Sequence, residues 1–210
     1  TALLVNQRVS DDGNAALGGS SNNGGAAGAS AGSDLFMMRG STVVLSPGAG
    51  KTITFNGTIA DDSAASIGNT SIASGYGADI TIAGGGLVRF NNANTYTGNT
   101  RLQGGTLRAD DGVGVNANSH ILFEGSSTIG GTTALSTANA GTMLTSGTMA
   151  RRVGVQPNQV SWTDSTASAG GSGGFAALAN GLTLNFGSLN GGQGQDLTWN
   201  SGGFVRTADT

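Results

Sequence analysis

The stretch Gly84–Asp110 reads GGGLVRFNNANTYTGNTRLQGGTLRAD, and the order of its residue types decides how the rest of the chain is read. Leu87-Val88-Arg89-Phe90 alternates, which places Val88 and Phe90 on one face of a short strand and Arg89 on the other. An Asn/Thr/Gly corner follows. Leu102, Leu107 and Ala109 fall at inward positions of the next strands, and Tyr96 is expected to pack at the corner with its hydroxyl reaching backbone or water. Gly98, Gly104 and Gly105 are expected to supply positive φ, which other residues adopt only at a cost. On this reading every residue of the stretch is structural.

Outward from it the same grammar recurs. Thr42–Leu45, Thr52–Phe55, Asp79–Ile82, His120–Phe123, Val160–Trp162, Leu182–Phe186 and Leu197–Trp199 mostly alternate and carry β-branched or aromatic residues. Pro47-Gly48, Asn56-Gly57, Asp111-Gly112, Asn180-Gly181 and Asn190-Gly191 read as turns between them. The chain is therefore predicted to be all-β. Two arrangements compete, a β-sandwich built from hairpins and a right-handed parallel β-helix. Strands of three to five residues, with Thr and Asn at comparable places in successive turns, favour the β-helix, because each coil buries its few inward residues only against neighbouring coils. Coils of roughly 20–25 residues would give about eight or nine of them. The Gly/Ala-rich stretch Asp11–Ser33 and the stretch Thr132–Thr148 are expected as excursions or irregular corners.

Composition sets the outer bounds. Of 210 residues 39 are Gly, charged residues are 10% and aromatics 5%, and Gly, Thr, Ser and Asn together make about half the chain. Such a chain does not build long helices. The formal net charge is −3, Lys51 is the single lysine and Arg151-Arg152 is the one adjacent basic pair, which argues against nucleic acid as a partner. No run approaches the ~20 apolar residues of a membrane helix, and Thr1–Ser10 lacks the pattern of a signal peptide, so targeting signals are expected outside this piece. Cysteine is absent, which removes disulfides and thiolate metal sites.

Within Gly84–Asp110, the elements Gly86, Val88 and Phe90, then Asn94-Thr95-Tyr96-Thr97-Gly98, then Thr100, Leu102 and Gly104-Gly105-Thr106-Leu107, resemble the autotransporter-associated β-strand repeat of bacterial type V secreted passenger domains. Arg89 departs from that pattern, which has a small polar residue there. Phe55–Asp62 is similar to the segment that precedes the repeat, and Arg151–Phe175 with Leu197–Trp199 resembles a Gly-rich block that follows it. The resemblance implies one solenoid, and composition along the chain divides it as 1–40 (Gly/Ala-rich), 41–130 (repeat-containing), 131–150 (Thr/Ala/Gly-rich connection) and 151–210 (second Gly-rich β module). It further implies an extracellular or cell-surface location, held to the outer membrane by regions outside this chain. The role it implies is structural and adhesive, through self-association or a host or cell-surface ligand, and not enzymatic.

Composition accounts for the remaining motif matches. Gly48-Ala49-Gly50-Lys51-Thr52 is the tail of a phosphate loop, but Leu45 stands where glycine is required and a strand follows instead of a helix. Gly28–Gly32 and Gly170–Gly174 match a nucleophile-elbow spacing by glycine content alone, with His120 as the one base. Asp11-Asp12, Asp61-Asp62 and Asp110-Asp111 read as solvated corners, since neighbours on an extended chain point apart. Asp196, in Gly191–Asp196, is a weak calcium-ligand candidate whose following Leu197 comes one position early, and no cofactor is expected. Asn56-Gly57-Thr58 and Asn69-Thr70-Ser71 are glycosylation sequons. The competing function is a glycan-binding or polysaccharide-cleaving module on the same scaffold, using Trp162, Trp199, Tyr76 or Tyr96 to stack on sugars and Asp164 nearby. Both tryptophans, however, sit at inward positions of their strands.

Overall fold

The computed structural model describes residues 31–63, 66, 77–125, 140–162, 171 and 173–187. In chain order the strands are β1 (Leu35–Met37), β2 (Thr42–Leu45), β3 (Thr52–Phe55), β4 (Ile59–Asp61), β5 (Asp79–Ile82), β6 (Leu87–Phe90) and β7 (Thr100–Leu102). They continue as β8 (Thr106–Arg108), β9 (Ile121–Phe123), β10 (Gly141–Ala150), β11 (Arg152–Val153), β12 (Gln159–Ser161) and β13 (Gly173–Asn185). The protein is all-β, and its sheets are parallel.

One sheet runs β11-β12-β9-β7-β5-β2, a second runs β13-β10-β8-β6-β3, and β1 pairs with β4. From β2 to β10 the chain visits the two large sheets in turn, adding one parallel strand to each at every visit. Beside β4, Thr95 and Tyr96 both donate their N–H groups to Ile59 O, and Asn94 N–H donates to Val113 O. A hairpin-built sandwich would need antiparallel neighbours, and every pairing among the described strands is parallel.

Parallel register makes like positions stack, and this is where the core comes from. Leu45, Ile82, Leu102 and Phe123 form one inward column. Ile53, Val88, Leu107, Met143 and Phe175 form the facing one. No single strand of three or four residues could bury enough apolar surface to hold itself, so each rung is stable only through its neighbours. Val88, Phe90, Leu102, Leu107 and Ala109 are all buried, as the alternation predicted.

The spacing is less even than expected. Ile80, Thr100 and Ile121 pair in succession about twenty residues apart, but Val43 to Ile80 and Leu107 to Met143 each take nearly forty. Residues 141–148, expected as part of an excursion, lie in β10, which is ten residues long. Its Met143, Thr145 and Met149 point inward, a pattern that Gly141, Gly147 and the many threonines around it obscure in sequence. Asn180-Gly181, expected as a turn, lies inside β13, where pairing jumps from Thr145↔Ala177 to Gly147↔Leu182 and the extra residues bulge out. Leu197–Trp199 and Asn190-Gly191 lie outside the described residues.

Candidate functional site

Corners are where a parallel ladder breaks, and the backbone N–H groups freed there need acceptors. Side chains supply them. Asp61, at the end of β4, is fully buried; its Oδ1 accepts from Ser63 N at 3.0 Å and from Ser63 Oγ, and its Oδ2 accepts from Thr97 N at 2.7 Å, Ala78 N at 3.1 Å and Thr97 Oγ1 at 3.3 Å. This corrects the expectation of a solvated corner: the carboxylate is enclosed because three chain passes converge on it. Asp62 does point outward, accepting from Arg39 N. Asn94 does the same work with a carboxamide, accepting from Ile59 N at 2.7 Å and donating from Nδ2 to Gly114 O at 2.8 Å.

A polar spine runs through the interior beside this corner. Thr100 occupies an inward column between Ile80 and Ile121 and is fully buried. Its Oγ1 is 2.7 Å from Tyr96 Oη and 2.9 Å from Ser119 Oγ, and Ser119 in turn donates to Gly98 O. Tyr96 therefore meets a threonine side chain. Burial pushes its pKa up to about 12, against the smaller opposing effect of the Thr100 hydrogen bond.

Arg151 closes the spine. Its side chain is buried, Nε and Nη2 both lie 2.7 Å from Asp111 Oδ1, and the guanidinium also donates to Asn116 O and Ser119 O. A buried guanidinium is tolerated because its donors are paired in this way. Arg152 beside it is exposed in β11, so the one adjacent basic pair of the sequence does not form a patch. Asp110 is exposed and Asp111 is tied to Arg151, which splits that carboxylate pair as well.

His120 Nε2 and Ser161 Oγ are 2.9 Å apart. Burial pulls the imidazole pKa down to about 4, with the Arg101 and Arg151 charges adding to the effect and a backbone hydrogen bond at Gly154 opposing it. The contact has the atoms of a base and a nucleophile, but Ser161 is fully buried between β12 and β9, so no substrate reaches its hydroxyl. The pair holds two rungs together. Sequence spacing gave no hint of it, because the two residues lie 41 positions apart.

Outside, Arg101 bridges Asp79 at 3.3 Å and Glu124, while Gln103 Nε2 donates to Glu124 at 2.9 Å. Burial works against the Arg101 charge, but the two carboxylates outweigh it and raise the guanidinium pKa above its ordinary value. On the outer face of the second sheet, Arg89 and Arg108 are direct Cα partners in β6 and β8.

The predicted motif residues lie on β6, β7 and β8 and in the connections flanking them. Gly86 lies so near Gly48 O and Lys51 O that a Cβ would come within 2.5 Å of each. Thr95 Oγ1 meets Ser66 Oγ at 3.0 Å, and Thr106 pairs in register with Leu87 and Thr142. Of the three glycines assigned positive φ, only Gly105 has it, at 63°. Gly98 is needed for closeness instead: a Cβ there would lie 2.2 Å from Ala78 O.

Trp162 is buried, stacks on Phe123 with ring centroids 5.4 Å apart, and donates to Gly173 O at 3.1 Å. Neither Trp162 nor Tyr96 offers a face to a sugar. Tyr76, Asp164, Trp199, Asp196, Asp11-Asp12, Gly28-Ala29-Ser30 and the sequon at Asn69 lie outside the described residues. Lys51 and Thr52 lead into β3, so the phosphate-loop tail meets no helix N-terminus. Among the described residues no group of three or more His, Cys, Asp or Glu side chains is placed to hold a metal ion, and no helix is long and apolar enough to cross a membrane. No family model, no curated protein and no solved structure matches the chain.

Proposed function

We propose that this chain is a stretch of right-handed parallel β-helix in a secreted or surface-displayed passenger protein. Its role is structural and adhesive, and it self-associates or adheres to a cell-surface ligand through a rod-like face. The observation that carries the reading is Asn94: one side chain ties the pass before it, at Ile59, to the pass after it, at Gly114. That is the role a repeat-motif asparagine has in a stacked coil. The resemblance of Gly86–Leu107 to the autotransporter-associated repeat supports the same reading from sequence.

Two further features favour it. The buried polar residues are spent on holding rung to rung, as at Asp61, Thr100 and Arg151, rather than converging on a cavity. Among the described strands, β2, β3, β11 and β13 are sheet edges, and an open parallel edge accepts another strand through its backbone. The glycan-cleaving alternative lacks support in the described region, where Trp162 and Tyr96 are buried and the Asp61 carboxylate is saturated by protein donors.

The test is display. Bacteria carrying the chain on an unrelated outer-membrane anchor should clump and settle faster than cells carrying the anchor alone, and the purified chain should show concentration-dependent assembly in sedimentation velocity. Dispersed, non-adherent cells together with a strictly monomeric purified chain would overturn the proposal.

A further inference from the structure

The outer face of the second sheet carries a charge arrangement that the fold does not balance. Thr54, Arg89, Arg108 and Leu144 follow one another in register across β3, β6, β8 and β10. Arg89 and Arg108 thus stand on adjacent rungs, roughly 4.8 Å apart at the backbone, and both point outward, because Val88, Phe90 and Leu107 between them point in. Like charges directly opposite each other on neighbouring strands are unfavourable. Among the described residues neither arginine has an ion-pair partner, in contrast to Arg101 and Arg151. Asp110, two residues beyond Arg108, meets Ser146, whose N and Oγ donate to its Oδ1 at 3.0 and 2.8 Å. Among the described residues Arg89 Nε, buried at the base of its guanidinium, has no hydrogen-bond partner. Two outward guanidiniums on adjacent rungs, with no carboxylate of the described residues paired to either, favour an acceptor that bears negative charge and more than one oxygen.

We propose that Arg89 and Arg108 form a binding site for the carboxylate or sulfate group of an acidic polysaccharide. Guanidinium forks match such oxyanions two oxygens at a time. The flanking rows offer groups for the neutral part of a sugar chain: Thr52, Leu87, Thr106 and Thr142 follow in register on one side, Leu87 being the apolar member, and the hydrogen-bonded Asn56–Asn91 pair lies on the other. The net charge of −3 disfavours a nucleic-acid occupant, whose many phosphates would meet a mostly acidic molecule. The site rests on sheet register and charge alone, so it stands or falls separately from self-association and display.

The experiment titrates the purified chain with dextran sulfate, polygalacturonate and sodium sulfate by calorimetry, and records thermal melting with and without each. Saturable binding of either polymer is expected, weakened at least tenfold by Arg89→Gln or Arg108→Gln. Arg152→Gln, which removes an exposed arginine elsewhere, should leave it unchanged. Arg89→Lys, which keeps the charge but loses the fork, should fall between. Without polymer, Arg89→Gln should melt no lower than the parent, since a repulsion is relieved, and it should lose most of the polymer-dependent rise in melting temperature. Equal losses from Arg152→Gln, binding of free sulfate as tight as that of either polymer, or no polymer binding near physiological salt would each overturn the proposal.

Discussion

Thr97 donates its backbone N–H to Asp61 Oδ2 at 2.7 Å, joining residues 36 positions apart in a fully buried contact. With Ser63 and Ala78 also donating, every group facing this carboxylate is a donor. Asp61→Asn would turn an NH2 group toward N–H and O–H donors, leaving several unpaired. The expected loss is about 3 kcal/mol in urea unfolding, against less than about 1 kcal/mol for Asp62→Asn, whose carboxyl meets only the outward Arg39 N–H among these contacts. Similar small losses from both would show that the Asp61 network does not hold the corner.

Tyr96→Phe keeps the buried ring, which packs edge-on to Phe90 with centroids 6.5 Å apart, and deletes only the hydroxyl that meets Thr100. A cost of about 1–1.5 kcal/mol at neutral pH is expected. The folded phenol has its pKa raised to about 12 from 10, so its contribution is complete below pH 10 and is lost as pH climbs toward 12. The variant should therefore lose less stability than the parent over that interval; parallel alkaline profiles would contradict the assignment.

His120 works in the opposite sense. Its folded pKa is depressed to about 4 from 6.5, so between those values the unfolded chain takes up a proton that the folded one refuses. Stability from this group is complete above pH 6.5 and declines as pH falls toward 4, by on the order of 2–3 kcal/mol in all. The urea midpoint of the parent should drop more steeply over that window than that of His120→Gln. Identical slopes would mean that the imidazole is protonated inside the fold.

Phe90→Ala and Arg89→Ala test the two faces of β6. Phe90 is 4% exposed and meets Phe55 edge-on at 5.6 Å, so its truncation should cost ~3–5 kcal/mol. Arg89 points outward, and its truncation should change stability by no more than about 0.5 kcal/mol. Equal losses by chemical denaturation would invalidate the register in which Val88 and Phe90 face the core.

Period-two alternation made most short strands legible in advance, because an inward Val88 or Phe90 beside an outward Arg89 is a local pattern. β10 escaped notice, since Thr145 is buried where an apolar residue would have marked the strand, and glycine fills other positions of its run. The motif residues around Tyr96 were legible as structural, but their partners were not. Ile59, Gly114, Ser119 and Asp61 come from other passes of the chain, and nothing in the local order of residues points to them.

By itself the sequence determined the class of structure: a chain half made of glycine, threonine, serine and asparagine cannot sustain long helices, and short alternating runs bury one face only. Which strand lies beside which was decided by tertiary structure, because most of the parallel pairings join residues about twenty to forty positions apart and depend on how each connection closes. The same stacking decided the charges. It enclosed Asp61 and Arg151 among partners from distant passes, and it set Arg89 against Arg108 although eighteen residues of mostly neutral chain separate them in sequence.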